Sequence, residues 1–288
     1  MKYAVFLPTF SPYAHPRVLA DLARETELAG WDGFFVWDDI AGYDTDLTDP
    51  WIGLAAAAAS TSRIRLGALV TPLARRRPWK VARETVALDH LSGGRLVFGV
   101  GTGGGAESFD DLGEEPNHRL RGEMLDEGLQ VLTGLWSGLP FHFEGKHYQI
   151  HKTRFLPASL QQPRIPIWVG GVWPNKRPLQ RMARWDGMFQ ISADLPEQAE
   201  DLRRLRESIR TVQAMRPPQA GPLEVVVTGT TPFQDASLSQ QITAAYAQAG
   251  ATWWLESIAP LRDGNPANPP LSFEKLREKV LEGPPRFA

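Results

Sequence analysis

The 288-residue chain has no cysteine, which excludes disulfides, thiolate metal sites and cysteine nucleophiles and fits a reducing compartment such as the cytoplasm. Charge of neither sign prevails: 31 Lys and Arg face 33 Asp and Glu, a formal net charge of -2. That balance leaves no electrostatic footprint for nucleic acid or an anionic membrane, and neither is expected as a partner. Long apolar runs are missing as well. The longest, Ile52 to Ala59, is far short of the roughly 20 residues that span a bilayer. Met1-Lys2 runs straight into Tyr3-Ala4-Val5-Phe6-Leu7-Pro8, which predicts a first strand rather than a secretion signal. Histidine is scarce, and His142, His147 and His151 share one short stretch whose spacing fits no zinc pattern, so no metal is expected.

What is present is a rhythm. Strands are predicted over 3–8, 33–37, 64–71, 96–100, 165–169, 187–191, 224–228 and 252–257. Helices are predicted over 17–29, 50–60, 79–91, 117–136, from 177, and over 197–215, 238–249 and 272–281. Alternation at this spacing means a parallel sheet, and eight units close into a ring. The expectation is one α/β domain over 1–288, a TIM (β/α)8 barrel. The stretch 138–165, with a hairpin over 141–150, is an insertion between helix 4 and strand 5.

In such a barrel the ligand sits at the C-terminal strand ends. Those ends read Pro8-Thr9, Trp37-Asp38-Asp39, Thr71, Gly101-Thr102-Gly103, Gly170-Gly171, Gln190 to Ser192, Thr228-Gly229 and Glu256. Rich in glycine and poor in histidine, they suit a large flat cofactor better than metal-assisted hydrolysis. Gly99 to Gly104 matches G-x-G-x-x-G, yet no helix follows directly and the motif falls in the fourth unit, so a dinucleotide fold is disfavoured. Gly170-Gly171 with Asn175, Lys176 and Arg177 offers amides and cations to a phosphate; a tight turn with solvated cations is the plainer reading. Asp38 and Asp39 are adjacent on a strand and point to opposite faces, so one enters the pocket and the other caps or pairs. Arg75, Arg76, Arg77, Lys80 and Arg83 are either an anion receptor or a solvated face. Glu107 and Glu256 across the barrel would be a glycosidase pair, with nothing else in support.

The order of motifs resembles the bacterial luciferase-like family of flavin- and F420-dependent oxidoreductases. The matching text is Ala29-Gly30-Trp31-Asp32-Gly33-Phe34-Phe35-Val36-Trp37-Asp38, Leu66-Gly67-Ala68-Leu69-Val70-Thr71-Pro72 and Leu88-Asp89-His90-Leu91-Ser92-Gly93-Gly94-Arg95-Leu96, running into Gly99-Val100-Gly101. Leu125-Asp126-Glu127-Gly128-Leu129, Ile165-Pro166-Ile167-Trp168-Val169-Gly170-Gly171 and Ala183-Arg184-Trp185-Asp186-Gly187 continue it. The resemblance implies a luciferase-like barrel, a homodimer, and reduced FMN or coenzyme F420 across the strand ends, with a separate reductase as supplier. It implies cofactor contacts at Asp38, Asp39, Ala68, Leu69, Thr71, Gly101, Thr102, Gly103, Val169, Gly170, Gly171, Asn175 and Arg177, and a non-proline cis peptide at Ala68–Leu69. With FMN the expected activity is monooxygenation of a small organic substrate; with F420 it is hydride transfer without oxygen. Where many deazaflavin members carry Asp-His this chain has Asp38-Asp39, and Gly104 stands where sugar-phosphate dehydrogenases carry an acid. Proton handling is therefore expected at Asp39, with Glu107 behind it. The hairpin and the loop 103–116 are the expected lid and substrate wall. A flavin-holding protein without turnover is the remaining alternative.

Overall fold

Local chemistry starts and stops the helices and so delivers the strands. The computed structural model describes residues 1–41, 44–104, 107–191, 198–260 and 271–286, without the side chains of residues 107 and 108. Proline opens α1 (Pro16–Leu28), α2 (Pro50–Ala59) and α3 (Pro78–Ser92), where a missing N–H leaves no bond unmade. Asp49 caps α2 by accepting from the backbone N–H groups of Trp51 and Ile52, both at 2.9 Å. At the far end of α3, Gly93 and Gly94 take positive φ of 67° and 80° and turn the chain into the next strand.

The strands before and between these helices are β1 (Lys2–Leu7), β2 (Gly33–Val36), β3 (Arg65–Ala68) and β4 (Thr71–Pro72). Then come β5 (Phe98–Gly101), the single turn α4 (Glu107–Asp110) and α5 (His118–Trp136). An antiparallel hairpin, β6 (Phe141–Glu144) and β7 (Gln149–Thr153), precedes β8 (Ile167–Val172) and α6 (Lys176–Met182). The chain closes with β9 (Gly187–Ile191), α7 (Gln198–Met215), β10 (Glu224–Gly229), α8 (Ala236–Ala249), β11 (Trp253–Ser257) and α9 (Phe273–Leu281).

The parallel sheet runs β3-β2-β1-β11-β10-β9-β8-β5-β4. Its two ends meet through a Leu66–Leu96 bridge, where the Val97 N–H donates to the Leu66 carbonyl at 2.8 Å. The sheet is thus a barrel of eight staves, β3 and β4 being two parts of one. The strand expected over 64–71 is broken because Leu69 and Val70 leave the ladder, and the cis peptide is Leu69–Val70, one residue beyond the expected bond.

Alternation sorts each stave between two cores. Ala4, Phe6, Phe35, Leu69, Val97, Trp168, Phe189, Val226, Trp253 and Leu255 fill the barrel, with Trp168 and Trp253 edge to face at 5.3 Å. Their neighbours, among them Val5, Phe34, Ala68, Val100, Val169 and Trp254, face the helices. The hairpin is tied to α5 by Glu127, which accepts the backbone N–H groups of Lys146, His147 and Tyr148 at 2.9, 2.8 and 3.1 Å.

Candidate cofactor site at the barrel mouth

At the C-terminal rim the barrel-filling residues end in Trp37, Val70 and Ile191, half-buried caps on the inner core. Val70 occupies the space left by two glycines. A Cβ on Gly101 would lie 2.7 Å from one Val70 methyl, and a Cβ on Gly170 would lie 2.5 Å from the other. The glycines expected to face the cofactor therefore first make room for Val70, which stands as a ridge across this side of the mouth. Gly171 points the other way, beneath Pro178 and Met182 of α6.

Beyond β5 the loop is clamped by a stack. The Phe109 ring on α4 lies between two guanidiniums, with Cζ of Arg75 at 4.2 Å and of Arg121 at 3.7 Å from its centroid. Gly103, at φ 82°, is fixed beside it: a Cβ there would meet Phe109 at 2.6 Å. Arg75 is held by Glu114 at 2.7 Å, and Arg121 donates to the Gly104 carbonyl at 3.1 Å. Arg121 is 1% exposed, yet its Nε and Nη1 have no acceptor among the described residues. One residue before Gly103, the Thr102 hydroxyl is 2.8 Å from His118 Nε2. Partial loss of water around the ring first, then the charges of Arg121 and Arg181, hold the His118 pKa below the usual histidine value, although the residue as a whole is exposed.

Next to this loop, α5 and α6 border a cavity of about 450 Å³ whose wall includes His118, Arg119, Asn175, Lys176, Arg177 and Arg181. Arg181 is fixed there by Asp126 at 2.7 and 2.9 Å and by the Gly122 carbonyl at 2.9 Å. Arg119 pairs with Glu123 at 3.2 Å. The cavity is cationic on balance and suits a phosphate.

The predicted residues divide by face. Asn175 and Arg177 line the basic cavity, Thr102 and Gly103 lie in the clamped loop, and Leu69, Gly101 and Gly170 face the barrel. Ala68 and Val169 face the helices, and Thr71, in register with Val100, shares that side. Asp38 is buried on the helix side, where it accepts from Trp51 Nε1 at 3.1 Å and pairs with Arg76 at 2.6 Å. Asp39, the other carboxylate, is half-buried beyond the end of β2. The backbone of Glu107 is in α4, and its side chain lies outside the described residues, as does Ser192. Gln190 turns outward to Ser208 of α7, and Glu256 is buried beneath Thr231 and Trp254, at 2.8 to 3.0 Å. The basic run is dispersed: Lys80 pairs with Glu84 and Arg83 holds the Leu156 carbonyl. Among the described residues no group of three or more His, Asp or Glu is arranged to hold a metal.

Sequence reasoning missed His118, Arg121 and Arg181. The first two were signalled only as H-x-x-R at the start of α5, which reads equally well as a solvated first turn, and Arg181, in the last turn of α6, carried no signal.

A family profile described as luciferase-like monooxygenase matches residues 1–275. The chain belongs to this family. An F420-dependent glucose-6-phosphate dehydrogenase of Nakamurella multipartita is 32% identical over 191 residues, 63% of this chain and 54% of that enzyme. The 4-hydroxyprotoasukamycin monooxygenase of Streptomyces nodosus subsp. asukaensis is 36% identical over 143 residues, 46% of this chain and 38% of that enzyme. The match thus spans about half or less of either protein. The coenzyme F420-dependent tetrahydromethanopterin reductase of Methanopyrus kandleri superposes with a TM-score of 0.74 at 16% identity over 98% of both chains, which shows the fold. Members of the family are enzymes that use F420 or FMN.

The residues at the mouth fit such a group. A guanidinium shut away from water with two N–H donors unused is costly unless an anion completes it, and the adjoining cavity is large enough for a phosphate and its chain.

Proposed function

We propose that the protein is a luciferase-like oxidoreductase that holds reduced FMN with its phosphate at the β5–β8 side of the mouth, and that it monooxygenates a small organic substrate. The observation that carries this reading is Arg121, buried with Nε and Nη1 lacking an acceptor among the described residues and next in sequence to Gly122 of the basic cavity's wall. Arg121, Lys176, Arg177 and neutral His118 would hold the phosphate, and Thr102 the chain next to it. Val70 would support one face of the ring system, while Phe109 and the clamped loop exclude water from that side. The cofactor supplies the redox chemistry and the protein supplies orientation and proton handling. Asp39, half-buried at the rim, is the residue assigned to move a proton.

A second reading, F420-dependent hydride transfer, is favoured by the match to the Nakamurella dehydrogenase. It is also favoured by Lys176 and Arg177, cations at the open side of the cavity that suit a longer anionic chain. Fluorescence titration with FMN and with F420, followed by turnover with each reduced form, separates the two. Micromolar binding of FMN and oxygen-dependent product formation support the first; binding of F420 alone supports the second; binding of neither removes both.

The same reading includes a homodimer. Helix α2 carries no charged or amide side chain over its ten residues and leaves Ile52 60% exposed on its outer face. Light scattering at a single-chain mass would contradict it.

A further inference from the structure

The half of the mouth opposite the basic cavity has a different chemistry. Phe6 of β1 and Trp37 beyond β2 cap the barrel there, with Val70 and Ile191 of the β5–β8 side packed against the same inner core, and none of the four carries a charge. Trp37 is boxed by aromatic rings, with Phe6 at 6.0 Å and Phe10 edge-on at 5.8 Å. Its Nε1 is buried and has no acceptor among the described residues. Of the arginines near this side, Arg75 pairs with Glu114 and Arg76 with Asp38, though Arg76 Nε has no acceptor among the described residues.

We propose that the substrate is an uncharged, apolar molecule whose one carbonyl or hydroxyl oxygen accepts a hydrogen bond from Trp37 Nε1. Such a molecule lays its hydrocarbon on Phe6, Phe10, Val70 and Ile191 and supplies the acceptor that the indole lacks. Phe6, Phe10, Val70 and Ile191 offer a sugar phosphate nothing for its hydroxyls or its charge. The inference rests on reading the mouth as the cofactor site, with the phosphate end on the far side.

The test is saturation-transfer NMR on the full chain, with cyclohexanone and glucose 6-phosphate as probes. Saturating inorganic phosphate is present so that the basic cavity is filled whether or not a cofactor binds. Saturable binding of cyclohexanone is expected, with none of glucose 6-phosphate, and Trp37→Phe should weaken the ketone about tenfold, the worth of one hydrogen bond. Equal or tighter binding of glucose 6-phosphate, or an unchanged ketone affinity in Trp37→Phe, overturns the proposal. If that variant does not fold, the two-probe comparison on the wild type decides alone. Titration of a phosphate-free sample with FMN and F420 is read separately, so failure of the cofactor reading and failure of the substrate class are distinguishable.

Discussion

The two ends of the barrel treat their polar groups differently. At the N-terminal end Lys2 pairs with Glu224 at 3.3 Å and Arg164 with Asp186, which also accepts the Ile167 N–H at 2.7 Å. Arg65 is satisfied by the Gly94 carbonyl and Gln161, and Asp32 by Tyr3 N–H and Arg286. At the C-terminal end, Thr9, Trp37, Thr71, Arg76 Nε and Arg121 hold buried polar atoms with no partner among the described residues. Trp253 Nε1 is the exception at the other end. Buried polar groups are ordinarily bonded, so a cluster of unbonded ones at one end marks where a ligand or ordered water completes the structure. The difference teaches that the N-terminal end is built for stability and the mouth for a ligand.

Matched substitutions at the two ends can break that contrast. The largest effect is expected from Arg121→Met, which should weaken a phosphorylated cofactor by about 2–4 kcal/mol, because a buried charge-assisted contact is lost. Thermal stability of the free protein should change little or rise, since the substitution removes a buried, half-satisfied charge. Arg164→Met at the other end should do the reverse, lowering stability by about 1 kcal/mol for a partly exposed pair and leaving cofactor affinity unchanged. Calorimetric melting and fluorescence titration of both variants decide.

Next in size is Gly170→Val. Its Cβ would press on Val70 at 2.5 Å, an overpacking that costs about 1–3 kcal/mol and tilts the ridge beneath the ring. A denaturant melt should show the loss, and cofactor affinity should fall with it. Unchanged values in both would remove Val70 from the site.

A smaller effect is the pH dependence of binding. The His118 pKa is held low by partial loss of water around the ring and by Arg121 and Arg181, with Arg119, Lys176 and Arg177 on the same cavity wall. In the unfolded chain it titrates near its ordinary value of about 6.5. Its contribution to stability is therefore present above that value and declines as pH falls toward the lower folded pKa. A bound phosphate raises the pKa again, so binding takes up a proton and tightens as pH falls from 7.5 to 6.5. Calorimetry in two buffers of different ionisation enthalpy should report the proton uptake, and His118→Asn should remove that part of it that the phosphate itself does not account for. The smallest effect is Lys2→Met at the N-terminal end, an exposed pair worth less than about 1 kcal/mol of stability.

Much of this contrast was legible in the chain and some was not. Strand β2 and helix α3 follow from apolar runs and from proline and glycine punctuation, which act locally, and the eightfold alternation fixes a barrel. The break in the third stave was not legible, because Leu69 and Val70 read as two more apolar strand residues and only the Gly99 and Gly101 gaps beside them permit the departure. Gly101 and Gly170 were recognised as close-approach positions, but what approaches is Val70, a contact between residues 31 or more apart. Asp38 and Asp39 were separable by parity, whereas the Arg76 partner that ties Asp38 required the fold. Arg121 was hardest: nothing in His118-Arg119-Leu120-Arg121 shows that the last arginine is buried against Phe109.

The most direct test of the account compares FMN with riboflavin, which differ only in the phosphate, on wild type and Arg121→Met. The account predicts that wild type binds FMN at least about 100-fold more tightly than riboflavin, as a buried charge-assisted receptor requires, and that Arg121→Met removes most of the difference. Equal affinity for the two flavins in the wild type, or a full phosphate preference retained by the variant, would contradict it.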